Sequence, residues 1–316
     1  MKTKAFILII LAGIFWGTSV IFVNITAPYG YSSIQMTAIR SIVSALSMAI
    51  YILILNRKLF KVSIKELLLF LANGVSFVAT ATCYYASMQL TSAPTAVMLM
   101  YTAPAIVMVF SVLFLGERFT KLKALSLVLV LIGCAFVSGL IGGFKFNIIG
   151  ILIGALSGIS YSAYNIITKI SLKKGSNPIS TTFYTFLFGA MVAICISSPG
   201  KILSITFEMP GKLIPLLVAF GICTCIAPYF LYTLAMKDLS AGTASALGII
   251  EPVAATVFSI AFFNQAPDVF SIGGIILVLA AVVLLGICEN SEKRMTLHDE
   301  LKKAAEGMNY EQHTKI

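Results

Sequence analysis

The chain has 316 residues, 59% of them apolar and only 11% charged, with a mean hydropathy of +0.99. That composition excludes an ordinary soluble domain and describes a chain whose solvent is largely lipid. The formal charge of +10 does not make a nucleic-acid surface, because the basic residues sit in the short segments between long apolar stretches.

Ten such stretches of roughly 19–25 residues follow one another, each long enough to cross a hydrocarbon core about 30 Å thick. In chain order they cover about 5–24, 33–55, 66–88, 94–115, 122–140, 147–169, 178–198, 213–236, 240–263 and 269–288. The first follows Met-Lys-Thr-Lys, a superficially secretory start, but its length and its lead into further spans mark it as a crossing rather than a cleaved leader. It carries Trp16 and Asn24. The second holds Arg40, the third Tyr84 and Tyr85, and the fourth Tyr101, Thr102 and Pro104. Gly150, Gly154 and Gly158 line one face of the sixth, a pattern for close helix packing; the same span offers Tyr161, Tyr164 and Asn165. Tyr229 and Tyr232 lie in the eighth, Glu251-Pro252 in the ninth and Gly273-Gly274 in the tenth. Residues 289–316 are polar and mixed in charge, and read as a solvated tail or a partner element, with Thr296-Leu297-His298-Asp299 able to cap a short helix.

The second half repeats the first. Ser92-Ala93-Pro94-Thr95-Ala96 answers Ser240-Ala241-Gly242-Thr243-Ala244, and the same offset of 148 pairs Pro104 with Pro252, Phe114 with Phe262 and Tyr84 with Tyr232. Upstream an offset of 145 pairs Ile34 with Ile179, Ala45 with Ala190 and Trp16 with Tyr161. One three-residue insertion reconciles the two, and the segment 198–212 has room for it. The expected units are 1–140 and 147–288, five spans each. Five is odd, so the second copy starts on the opposite face, and the fold class is an all-α polytopic membrane protein of ten transmembrane helices in two inverted five-helix repeats.

Charge placement sets the expected orientation. The outer connections hold only Lys145, Lys201 and Lys212, Arg40 lies inside a span, and the rest of the 22 basic residues fall on the side of the amino terminus. By the positive-inside rule both termini are cytoplasmic, in a cell (inner) membrane.

The residue inventory excludes most chemistry. The two histidines, His298 and His313, are both in the tail, and Asp238, Asp268 and Asp299 all lie outside span interiors. No intramembrane zinc site, aspartyl dyad or His-activated nucleophile can be assembled, and no phosphate-binding glycine loop appears. Cys223-x-Cys225 lacks metal spacing, and the six cysteines read as small packing residues. No catalytic set, metal or cofactor is expected.

Two charges remain inside spans, where each costs roughly 2.5–3.5 kcal/mol and belongs in a bundle interior. Glu251 suits proton exchange or a cationic group, and Arg40 a carboxylate or phosphate, unless the two serve only as structure or pair with each other. Trp16, Tyr84, Tyr101, Tyr161, Tyr164 and Tyr232 are the aromatic candidates for binding an amphipathic organic molecule, with core packing as the alternative for each. Pro104 and Pro252, at matching positions, are hinge candidates.

Together these residues resemble the drug/metabolite transporter superfamily, in its ten-helix EamA branch. The resemblance rests on Trp16-Gly17, Arg40, Ser92–Ala96 running into Pro104, Leu115-Gly116-Glu117-Arg118, Tyr161-Ser162-Ala163-Tyr164 and Glu251-Pro252, and spans the chain to Cys288. Asn264-Gln265-Ala266 departs from the Gly-Glu-Arg expected in the second copy, which argues against a coupling role for Glu117 and Arg118. The resemblance implies helices 1–4 and 6–9 around a central cavity, with 5 and 10 bracing the outside. It implies export of amino acids or other small metabolites, with relatives that move drugs, organic acids or nucleotide sugars. The expected partners are a small-molecule substrate, the bilayer and a coupling proton. A scaffold or sensor working through its tail, an intramembrane lipid enzyme and a channel are the rival readings.

Overall fold

The computed structural model describes residues 2–91, 96, 99–116, 119–137, 147–263, 269–270, 272–285 and 287–288. Glu117, Arg118, Ser92–Thr95, the connection at 264–268 and the tail therefore lie outside the described residues. What is described is helical. The chain opens with α1 (Lys2–Gly17) and α2 (Ser19–Thr26), which continue each other across a turn at Thr18, whose Oγ1 donates back to Phe15 O at 2.6 Å. Then come α3 (Ser33–Leu55), α4 (Ile64–Leu90), α5 (Ala103–Leu115) and α6 (Lys121–Val137). The second half holds α7 (Ile148–Lys173), α8 (Pro178–Ile196), α9 (Pro199–Glu208), α10 (Pro210–Gly221), α11 (Ala227–Ala235), α12 (Ala241–Leu247), α13 (Ile250–Phe263) and α14 (Ile272–Leu285).

Seven helical runs are long and apolar enough to cross a membrane: Thr3–Thr26, Ile34–Leu55, Ile64–Ser87, Ile148–Lys173, Pro178–Ile196, Pro210–Ala235 and Ala241–Phe262. Ala103–Leu115 and Ile272–Leu285 are shorter apolar helices. Their starts are written in local chemistry. Ser32 with Gln35 and Ser63 with Glu66 form reciprocal capping boxes at α3 and α4, and Asn147, Asn177 and Ser240 cap α7, α8 and α12. Each supplies an acceptor to backbone N–H groups that have no partner within the helix. Ile54, Leu113 and Phe114 stay exposed, as side chains facing hydrocarbon must.

Two elements depart from the sequence reading. The segment 198–212, read as a long connection, contains α9, which packs back through Ile202 and through a hydrogen bond between Tyr31 Oη and Thr206 Oγ1 of 2.9 Å. The eighth stretch is not one smooth helix: Ile222–Ile226 form a π-turn between α10 and α11, followed at once by Pro228.

The most extensive helix contacts join the two halves. α4 packs along α7, α3 and α4 along α8, α1 against α11 and α13, and α5 against α7 and α12. Glycines make the closest approaches. A Cβ on Gly154 would lie 2.6 Å from Ser87 Oγ, and one on Gly74 would lie 2.8 Å from Gly189 N. The Gly150–Gly158 face is thus a helix-packing face, as the spacing predicts.

Candidate functional site

The core of the bundle is an aromatic cluster drawn from both halves. Trp16 of α1 meets Tyr229 edge-on at 5.1 Å between ring centroids and Tyr232 at 5.3 Å, both on α11. Tyr164 of α7 stacks on Tyr161 at 6.4 Å and presents its edge to Tyr229 at 5.5 Å. Phe77 of α4 and Phe186 of α8 complete the ring around Tyr229, at 5.2 and 5.7 Å. Edge-to-face pairs at these distances are favoured by the ring quadrupole. The π-turn carries an extra residue within one turn of α11, and such turns recur at functional sites; here it directly precedes the segment that carries Tyr229.

Several polar groups in and beside the cluster pair with one another, although Asn73 Oδ1 is buried without a partner. Tyr232 donates to Asn165 Oδ1, and Asn165 Nδ2 donates to Tyr161 O at 2.7 Å. Asn73 Nδ2 bridges Thr168 and Thr185 hydroxyls at 3.0 Å each, tying α4, α7 and α8. Buried polar atoms in so apolar a bundle are costly unless paired in this way.

Two charges flank the aromatics. Arg40 on α3 places its guanidinium carbon 5.5 Å from the centre of the Phe77 ring, a cation–π distance. Its Nε is buried with no hydrogen-bond partner in the protein. Tyr85, Cys225, Tyr229 and Glu251 lie within electrostatic reach of it. Glu251 lies in the first turn of α13, where a carboxylate is favoured by the helix dipole. It accepts a hydrogen bond from Tyr101 Oη at 2.9 Å rather than pairing directly with Arg40. The direct Arg40–Glu251 bridge left open by the sequence is thus not formed. Arg40 and Glu251 are only half-buried, although both sit well inside their helical runs. Charged groups do not face hydrocarbon, so this accessible surface lies between the helices.

The hinge candidates occupy equivalent places. Pro104 stands in the first turn of α5, after a turn at Tyr101–Thr102; Pro252 stands in the first turn of α13, after a turn at Gly248–Ile249. Proline is tolerated there because its missing N–H would have no intrahelical partner. The Tyr101–Glu251 bond therefore links one helix break to the other.

Of the residues singled out in the sequence, Trp16, Tyr161, Tyr164 and Tyr232 meet in one cluster, and Tyr101 meets Glu251. Tyr84 is half-buried and packs on Tyr85 at 5.2 Å, and Tyr85 lies within electrostatic reach of Arg40. Sequence reasoning passed over Phe77 and Phe186, read Cys225 as a packing residue, and named Tyr229 in the eighth span without placing it among the site candidates, although it is the hub of the cluster. Its only local signal is Pro228. No group of three metal-ligating side chains exists among the described residues.

The sequence model of the EamA-like transporter family matches residues 3–139 and again residues 148–287. The chain belongs to the EamA-like transporter family. An uncharacterised transporter of Archaeoglobus fulgidus is 29% identical over 65% of this chain and 71% of its own length. The pseudopaline exporter CntI of Pseudomonas aeruginosa is 24% identical over 68% of this chain and 73% of its own. A crystal structure superposes with a TM-score of 0.75 at 17% identity, covering 92% of this chain and 99% of the other, which is a likeness of fold. This EamA-family chain is accordingly a multi-pass, helical membrane protein with a general transporter role.

Proposed function

We propose that this chain is a secondary active transporter of the cell membrane that exports amino acids or other small metabolites by alternating access. Its ten crossings form two inverted repeats, with α5, α6 and α14 as the fourth, fifth and tenth. The repeat reading is supported by contacts that recur at the sequence offsets. A Cβ on Gly13 would lie 2.8 Å from Ile250 Cβ, and one on Gly158 would lie 2.7 Å from Thr102 Oγ1. Gly13 and Gly158 are 145 apart, Thr102 and Ile250 148 apart.

The observation that carries the function is Arg40, half-buried beside the Phe77 ring with its Nε buried and unpartnered, within electrostatic reach of the Glu251 carboxylate at the seam of the halves. A desolvated donor without an acceptor favours a ligand that brings one. Arg40 would hold a carboxylate or phosphate of the cargo. Glu251 would receive its cationic group or exchange a coupling proton, and the aromatic walls would hold its apolar part. The exporter named among the relatives supports a small metabolite as cargo. No step in this account makes or breaks a covalent bond in the cargo.

Transport by purified protein in liposomes tests it. Glu251→Gln is expected to stop flux while folded protein stays at the wild-type amount; loss of the protein instead assigns Glu251 to structure. Arg40→Ala is expected to weaken apparent affinity for anionic cargo selectively, whereas an equal loss for every cargo assigns Arg40 to architecture.

A further inference from the structure

Lys169 is a charged residue within the membrane-spanning run of α7, and only 7% of it is accessible. Its ammonium donates to Met236 O at 2.6 Å and Leu239 O at 2.5 Å. These carbonyls belong to the end of α11 and the turn into α12. The last carbonyls of a helix lack intrahelical donors and carry the negative end of its dipole, so an ammonium there is doubly favoured. One helical turn further on, Lys173 Nζ donates to Leu115 O, the last residue of α5, at 2.6 Å. Residues four apart share a helix face, so one face at the end of α7 grips the ends of two other helices. One begins at the Pro104 break; the other carries Tyr229 and Tyr232.

Among the described residues of the opposite end, the one that stands in the place of Lys169 bonds differently. At the offsets of 145 and 148, Lys169 corresponds to Asn24, Met236 to Met88 and Leu239 to Thr91. Asn24 is exposed, and its Nδ2 donates to Val20 O of its own helix at 2.8 Å. Its neighbours Val23 and Ile25 are each 44% exposed, whereas their counterparts Thr168 and Ile170 are fully and half-buried. Thr26 is buried like its counterpart Ser171. The Lys169 end is also sewn across the halves by Ser176 Oγ on Glu66 at 2.7 Å, Ser180 Oγ on Leu59 O at 2.8 Å and Tyr184 Oη on Phe60 O at 2.8 Å. At the other end, bonds across the halves join Tyr31 to Thr206 and Ser87 to Gly150 O.

We propose that Lys169, seconded by Lys173, is a latch that holds the α7 end of the bundle closed by placing a tethered ammonium between the Met236 and Leu239 carbonyls, at the end of α11 and in the turn that follows it, and that the structure is the state closed at that end. The inference rests on the alternating-access reading: opening at this end requires α7 to part from α11, and so requires the two carbonyl bonds to break. By the charge bias of the loops this is the cytoplasmic end. At the position equivalent to Lys169 in the first repeat stands Asn24, bonded within its own helix, so the two gates are expected to differ in strength although the halves share a fold.

The test is an accessibility measurement that needs no cargo. In the full chain with its natural cysteines replaced, Ser171→Cys is labelled by a membrane-impermeant maleimide presented to the α7 end. Lys169→Ala is expected to raise the labelling rate about tenfold, as expected where a closing charged hydrogen bond is lost. Ethylammonium, which can take the place of the missing side-chain amine, is expected to restore slow labelling, and equal sodium is not. An unchanged rate in folded Lys169→Ala protein overturns the latch. So does a raised rate indifferent to ethylammonium, which means a loosened helix. Should Lys169→Ala fail to fold, Lys173→Ala, whose side chain is exposed, carries the test: a smaller rise supports the latch and no rise overturns it. A chain that moved no cargo would still give these labelling results, so the latch and the transport reading fail separately.

Discussion

At the residue scale the bond from Tyr101 to Glu251 is the most exposed to test. It joins the fourth and ninth predicted spans across the seam, and side-chain hydrogen bonds in membrane proteins contribute about 0.6–1.7 kcal/mol. Tyr101→Phe and Glu251→Ala, made singly and together, are expected to show a coupling of about 1 kcal/mol in thermal or denaturant unfolding, the cycle cancelling the other contacts of each residue. Additive effects would mean that the bond contributes nothing. The two charges were legible in the sequence because a charge inside an apolar span needs a reason. The tyrosines were less so. Neighbouring residues on a helix point about 100° apart, so Tyr84 and Tyr85 are interchangeable until the rotation of α4 is known. Tyr229 became the hub only once Phe77, Phe186, Trp16 and Tyr164 were seen to converge on it.

At the element scale the breaks before Pro104 and Pro252 were readable, because proline lacks the donor that would continue the helix behind it. The π-turn at Ile222–Ile226 was not, since an inserted residue leaves no mark on hydropathy and only Pro228 hints at it. α9 was hidden by the Pro-Gly pairs at 199–200 and 210–211, which read as loop punctuation but here open helices. The glycine faces allow a sharper prediction. A Cβ on Gly158 would sit 2.8 Å from Leu99 O, a backbone atom that moves only with its segment, whereas a Cβ on Gly273 would meet nothing closer than Phe136 at 3.9 Å. Gly158→Ala is therefore expected to cost about 1–3 kcal/mol by overpacking. Gly273→Ala is expected to be neutral or to gain up to about 1 kcal/mol from helix propensity. Melting temperatures of the two purified variants separate the cases; equal shifts would refute the packing account.

At the scale of the whole molecule, the internal repeat was visible from a handful of aligned residues, but the way the halves interlock was not. Hydropathy locates crossings and is silent on which crossings touch. The main contacts run between halves: α4 on α7, α3 on α8, α1 on α11 and α13. Trp16 and Phe77 from one half close the same ring as Tyr164, Phe186 and Tyr229 from the other. Each half on its own would leave its share of that surface uncovered and would strip Asn73 Nδ2 of its partners Thr168 and Thr185, which lie across the seam. The halves, each matched by the family model, are thus expected to depend on each other for folding. Cutting the gene between residues 140 and 147 tests this. Each half expressed alone is expected to aggregate or be degraded, because the exposed seam places unpaired polar groups in lipid. The two expressed together are expected to co-purify, to unfold in one transition and to recover flux. A half that is monodisperse and thermally stable by itself would show that its core lies within the repeat, and the site would then have to be sought there rather than at the seam.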